Sequence, residues 1–293
     1  MNIITQVFLP LALAIIMFSM GLGLTTNDFK QVVLKPRAFA LGLFCQFVTL
    51  PLIAFSVVQF FGITGELAVG LMIISVCPGG VTSNVYAKLS DGDVALSIAL
   101  TAVTSLASVI TIPLIINWSL TYYMGANSTT ELPIFKSIAG IFLITSIPVL
   151  TGLLLNHKRH NLAKKLEAVL SKVAVLLFVL IVVAAIIKER ENFLPYMQIS
   201  GSATLLLNLL TMATALLFSL LVSIPKNQVK TIVLECGIQN GTLAIMIAAT
   251  FLQNEAMTIP GAIYSLQMFI TGGLVILISK LGRKSNSTSL QAS

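Results

Sequence analysis

Of the ten Asp and Glu residues in this chain of 293, one, Glu235, falls well inside a long apolar run: Lys230-Thr-Ile-Val-Leu-Glu235-Cys236-Gly-Ile238-Gln239-Asn240-Gly241-Thr-Leu-Ala-Ile-Met. A carboxylate in such surroundings needs a proton or a cation, because an isolated charge in a low-dielectric interior is costly. No Lys, Arg or His is placed deep in another apolar run to pair with it. Its partner is therefore a bound ion, a bound substrate or a transported proton, with a protonated Glu hydrogen-bonded across helices as the purely structural alternative. A second anomaly is Ser75-Val-Cys77-Pro78-Gly79-Gly80-Val81-Thr82-Ser83-Asn84-Val-Tyr86. Proline removes a backbone donor and crowds the preceding turn, so a helix should break here. The Thr82-Ser83-Asn84 run just beyond supplies hydroxyl and amide oxygens of the kind a hard cation such as Na⁺ selects. Two further polar features lie in apolar runs: Gln46 in Phe44-Cys-Gln46-Phe-Val-Thr49-Leu-Pro51, and Ser97, Thr101, Thr104 and Ser105, whose i, i+4, i+7, i+8 spacing makes one helical stripe.

The elements that position these residues are membrane helices. With 57% hydrophobic and 9% charged residues, the chain cannot clothe a water-soluble body or behave as a disordered one. Apolar runs of about 20 residues span a bilayer, and the breaks predict nine spans near 3–24, 37–60, 67–89, 94–122, 132–155, 166–187, 199–224, 229–252 and 259–281. The opening run has no basic residue before it and reads as a retained span rather than a signal peptide. With the amino terminus outside, fourteen of the 17 Lys and Arg residues fall on the inner side, leaving Lys136, Lys188 and Arg190 outside. The bias fits an odd number of spans and a cytoplasmic carboxyl terminus, and it gives the net charge of +7 a topological meaning instead of a nucleic-acid one. His157 and His160 belong to a basic loop, Trp118, Tyr122 and Tyr123 to an interfacial belt, and residues 282–293 to a disordered tail. Cys45, Cys77 and Cys236 lack metal or redox spacing and read as buried small residues.

The eighth span repeats the logic of the third. Setting Ser83-Asn84 on Gln239-Asn240 matches two interrupted helices five spans apart, and an odd offset makes the copies run oppositely through the membrane. Paired interruptions of this kind point to an inverted-repeat secondary transporter whose site lies where the broken helices cross. Half-helix amino termini near Thr82 to Asn84 and Gln239 to Gly241 favour an anion, and the unwound carbonyls before them favour a cation.

The chain resembles the bile acid:sodium symporter family along nearly its whole length. The resemblance rests on Met17-Phe-Ser-Met-Gly-Leu-Gly-Leu24, Pro78-Gly-Gly-Val-Thr-Ser-Asn-Val85, Gly92-Asp-Val-Ala-Leu-Ser97, Glu235-Cys-Gly-Ile-Gln-Asn240 and Pro260-Gly-Ala-Ile-Tyr-Ser265. It implies an all-α polytopic membrane protein with core and panel domains, two discontinuous crossing helices and two transported sodium ions. By the resemblance, Ser83, Asn84, Ser97, Thr101 and Glu235 form one sodium site. Gln46, Glu235, Gln239 and the carbonyls of Cys236 and Ile238 form the other, while Thr82, Asn240, Gly241, Val81 and Phe269 lie at the substrate cavity. Bacterial members with ten helices carry an additional amino-terminal helix that this chain is expected to lack, giving repeats at about 1–123 and 132–281 within one domain over 1–281. Val81 stands where some bacterial members have a hydroxyl, and Phe269-Ile270 replaces a more polar pair; both changes bear on the cargo rather than on sodium.

The function expected from the residues and the resemblance is Na⁺-coupled import of an organic anion, either a steroid acid or a small carboxylate such as pantoate, across a bacterial inner membrane. No protein or nucleic-acid partner is implied. A proton-coupled or uniport carrier is the nearest rival. A channel would lack saturable uptake, and an intramembrane enzyme lacks the carboxylate pair or histidine it would need at depth.

Overall fold

The computed structural model describes residues 7–25, 34–125 and 134–291, with the side chains at 134–135, 192–193 and 282–291 outside the description. Asp28, Lys30 and Glu131, which fall between the expected spans, lie outside the described residues. The described elements are helices: α1 Leu9–Gly23, α2 Pro36–Phe60, α3 Gly65–Val76, α4 Val81–Leu89, α5 Val94–Met124, α6 Lys136–Lys158, α7 His160–Lys188, α8 Arg190–Leu221, α9 Lys226–Gly237, α10 Gly241–Phe251 and α11 Thr258–Gln291. Of these, α2, α5, α6, α7, α8 and α11 are long and apolar enough to cross a membrane, while α1, α3 and α10 are apolar but shorter. The chain is a multi-pass membrane protein. The third and eighth expected spans each divide into two helices, α3 with α4 and α9 with α10, and no half alone reaches bilayer length.

Two boundaries differ from the sequence expectation. The basic loop around His157 and His160 shrinks to one non-helical residue, Arg159, because α6 and α7 both extend past the membrane-length run. Lys172, one of the fourteen cations placed on the inner side, sits within α7. The backbone of α11 stays helical through Gln291, into the segment for which a disordered tail was expected.

Helix α1 packs chiefly on α6 and α7, whereas α2, α3, α5, α8, α9 and α11 pack largely on one another. The most apolar helix is also the least buried. The most apolar window, in α7, is 22% buried in the protein, and that of α5, which carries the Ser/Thr stripe, is 56% buried. In lipid an apolar face needs no protein cover, so the packed interior goes to helices whose polar groups require partners. Prolines shape the helices locally. Before Pro51 and before Pro148 the chain widens into π-type turns at Cys45–Thr49 and Phe142–Ser146, closed by Leu50 N–H to Cys45 O and Ile147 N–H to Phe142 O. A widened turn relieves the proline's clash and missing donor, and in α2 it carries the buried Gln46.

Candidate functional site

The chain leaves the helical conformation at Cys77, which is extended, and re-enters at Val81 after an extended Gly80. It leaves again after Gly237 and re-enters at Gly241, where the Asn240 side chain caps α10 by accepting from Leu243 N–H at 3.0 Å. Unwound backbone buried among helices must find partners for its N–H and C=O groups. These two segments partner each other: Gly79 and Gln239 form an isolated antiparallel bridge, and Asn240 N–H donates to Pro78 O at 2.8 Å. The contact revises the residue correspondence proposed above. Asn240 is the cap residue of its half-helix, and its counterpart by position is Gly80, whereas Ser83 and Asn84 lie within the first turn of α4.

Glu235, 2% exposed, lies on α9 within the last turn before the break. Its carboxylate meets the α5 stripe: Ser97 Oγ lies 2.9 Å from Oε2, and Thr101 Oγ1 hydrogen-bonds Oε1. The same hydroxyls reach α4, with Ser97 Oγ 2.8 Å and Thr101 Oγ1 3.4 Å from Asn84 Oδ1. Thr101 Oγ1 is also 3.0 Å from Ser97 O. Each hydroxyl has one proton. Two protons therefore serve both carboxylate oxygens, the Asn84 oxygen and a backbone carbonyl, and the cluster holds more acceptors than donors. Ser83 Oγ directs its own proton to Gly80 O at 2.7 Å. The rest of the stripe turns away: Thr104 donates to Thr101 O at 3.2 Å, and the buried Ser105 hydroxyl has no hydrogen-bond partner among the described residues. Gly79 has to be glycine for this arrangement, since a Cβ there would stand 2.2 Å from Glu235 Oε1.

A second polar cluster joins α2 to the other break. Gln46 Nε2 donates to Cys77 O at 2.7 Å and to Gln239 Oε1 at 3.0 Å, and Gln239 Nε2 donates to Cys236 O at 2.7 Å and to Gln46 Oε1 at 3.3 Å. Four amide protons meet four acceptors, so this cluster is balanced. Ile238 is buried in the same break, its N–H bonded to Leu234 O. The side-chain contacts of Glu235 belong to the first cluster, and those of Gln46 and Gln239 to the second.

Beside the two joined breaks lies a cavity of about 350 Å³. Val81, Thr82, Asn240, Gly241 and Phe269, the residues assigned above to a substrate, all line it, and Gln239 does so as well. Its floor is formed by the first turns of α4 and α10, whose amino-terminal N–H groups favour negative charge. Its walls are apolar, with Met17 from α1 and Phe178 from α7 opposite Met268 and Phe269 from α11. Phe178 meets Phe269 edge-on at 5.5 Å. A neighbouring cavity of about 240 Å³ shares Val81, Val85 and Ser171 with it and reaches Asn84, Lys88 and Glu167.

Sequence reasoning missed a brace behind the second break. Asn208, fully buried on α8, donates to Gly237 O at 2.7 Å and to Tyr264 OH at 3.0 Å, and Tyr264 OH donates to the same Gly237 carbonyl at 3.0 Å. The signal was present, because Ser200, Thr204, Asn208 and Thr211 fall at i, i+4, i+8 and i+11, one helical face as in the α5 stripe, and all are buried. A second missed group holds the start of α5. Asp93 caps that helix through Leu96 N–H and pairs with Lys35, while its own N–H donates to Thr231 Oγ1 of α9 at 2.7 Å.

Among the described residues no three His, Cys, Asp or Glu side chains gather as they would for a transition metal. The oxygen-rich cluster at Glu235 suits a hard monovalent cation instead.

Known proteins share this chain's sequence across the same elements. The model of the Sodium Bile acid symporter family matches residues 10–195. The sodium-dependent transporter YocS of Bacillus subtilis is 30% identical over 291 residues, 97% of this chain and 88% of the relative. A sodium-dependent organic anion transporter of Bos taurus is 26% identical, covering 97% of this chain and 75% of its own length. The human ileal sodium/bile acid cotransporter is 28% identical, covering 88% and 74%. With more than half of its length matched by the family model and relatives aligned along most of the rest, the chain belongs to the sodium bile acid symporter family.

Proposed function

We propose that this protein couples the entry of Na⁺ to import of an organic anion by alternating access. The observation that carries the reading is the surplus of acceptors at Glu235. A buried carboxylate and the Asn84 oxygen share two hydroxyl protons, and a cation among these oxygens would supply the missing positive charge and free the hydroxyls from competition. Ser83, Asn84, Ser97, Thr101 and Glu235 are the ligands of this site. Gln46, Gln239 and the carbonyls of Cys236 and Ile238 hold a second ion once the two amides turn their oxygens inward, with Glu235 supplying charge to both. Thr82, Asn240 and the helix starts at Val81 and Gly241 receive the cargo carboxylate, and Phe269 bounds its apolar part.

In the same reading the chain forms nine spans in two inverted repeats, about 1–123 and 132–281, with the amino terminus outside a bacterial inner membrane. The close packing of α1 on α6 and α7 supports a panel against which the core rocks. Two Na⁺ moving with one monoanion carry a net positive charge, so uptake responds to membrane potential, each charge gaining about 2.3 kcal/mol per 100 mV.

The test is uptake into proteoliposomes, with taurocholate and pantoate as probes, in Na⁺ and in choline at one pH. Sodium-dependent accumulation that increases with an inside-negative potential is the expected result. Equal uptake in choline driven by a pH gradient would replace the reading with proton coupling, and equal uptake with no gradient would make the protein a uniporter. Thermal shifts with carboxylates in the two salts separate binding from transport: cargo should stabilise the protein in Na⁺ alone.

A further inference from the structure

A cleft of about 850 Å³ lies between α8, α9 and α11, and none of its lining residues lines the cavity beside the two breaks or belongs to either polar cluster. Its walls are Leu216 and Leu220 of α8, Val233 of α9, and Val275 and Ile278 of α11. Leu220 and Ile278 are 61% and 68% exposed, so in a bilayer this wall faces hydrocarbon. At one end the cleft is charged: Lys226 and Lys230, one turn apart at the start of α9, stand with Asp91 of the loop between α4 and α5. Lys230 spends one N–H on Ser90 O at 2.8 Å, and an ammonium has three. Lysines at the rim of an apolar cleft match an amphiphile with a negative head and a hydrocarbon body.

We propose that this cleft binds an anionic phospholipid of the leaflet facing the basic loops, its phosphate between Lys226 and Lys230 and an acyl chain along Leu216, Leu220 and Ile278. Among the described lining residues, two positive charges and one negative leave the rim at +1, which suits a monoanionic headgroup such as that of phosphatidylglycerol. A soluble anion satisfies the lysines but leaves the hydrocarbon wall unused. Because α9 also carries Glu235, the lipid braces the half-helix that presents the buried carboxylate.

The experiment is a thermal shift of the purified full chain in detergent, titrated with phosphatidylglycerol, phosphatidylcholine or glycerol 3-phosphate. Phosphatidylglycerol should stabilise it, and the other two should not. Lys226→Gln with Lys230→Gln should raise the phosphatidylglycerol concentration needed by roughly tenfold or more, and Ile278→Trp, which keeps both lysines and fills the cleft, should raise it as well. Lys226→Gln alone serves if the double variant does not fold, since the hydrogen bond from Lys230 to Ser90 then stays in place. A wild-type response in the lysine variants, or equal stabilisation by phosphatidylcholine, overturns the proposal. Stabilisation by glycerol 3-phosphate equal to that by the lipid makes the cleft a site for soluble anions and overturns it too. None of these readouts depends on sodium or on transport.

Discussion

The Glu235 and Gln239 side chains leave the backbone four residues apart, yet the clusters they anchor differ in their count of protons. Around Glu235, oxygens from α4, α5 and α9 share two hydroxyl protons. Around Gln239, two amides donate to each other and to the carbonyls of Cys77 and Cys236, and every donor has an acceptor. The first cluster is arranged for a positive charge as it stands. The second is satisfied by itself and can admit an ion only by turning both amides. Under the proposed two-ion reading, the comparison predicts an order of filling in which the cluster at Glu235 loads first and the one at Gln239 follows.

The strongest way to break the comparison is Glu235→Gln, which keeps the shape, removes the charge and adds donors. Sodium binding to the purified protein, followed with radioactive sodium, should weaken by roughly 100-fold or more, the scale of leaving a buried charge site without its partner. Near wild-type affinity would remove the basis for the first site. Gly79→Ala presses a methyl against Glu235 Oε1 from 2.2 Å and, at the usual cost of overpacking, should weaken binding by about tenfold while the protein stays folded.

Gln46→Ala and Gln239→Ala sharpen the other half. Each should raise the sodium concentration for half-maximal binding by about fivefold, and the double variant should be little worse than either single one because the two amides act on each other. Simple addition of the two effects would show that the pair does not act as a unit. The smallest effect belongs to Tyr264→Phe, which removes one of two hydrogen bonds to Gly237 O. A shift of about threefold in the same titration is expected, with Asn208→Ala larger because it removes a donor to Gly237 O and a donor to Tyr264 OH together. No shift in either variant would confine the brace to a packing role.

Much of the site could be read from residue types. Glu235 is conspicuous as an acid in an apolar run, and Pro78-Gly79-Gly80 breaks a helix by local chemistry. The i, i+4 spacing of Ser97 and Thr101 aligns both hydroxyls with no tertiary information. Partnerships are another matter. Gln46 and Gln239 are 193 positions apart and meet because two breaks and a proline-widened turn bring them together, which no local rule encodes. The match of Ser83-Asn84 with Gln239-Asn240 falls short for a similar reason: two polar pairs are a pattern of letters, whereas capping by Asn240 is a matter of backbone geometry. Asn208 went unnoticed among the leucines of α8 because its importance lies in the carbonyl it reaches.

The bridge between the two breaks is made of main-chain atoms of Pro78, Gly79, Gln239 and Asn240. Residue changes around the cavity can therefore alter its lining without removing the main-chain contacts that join the two interrupted helices. A junction fastened by peptide groups leaves the side chains around it free to vary, which gives a physical reason for relatives named for bile acids and for organic anions to share one sodium-dependent family.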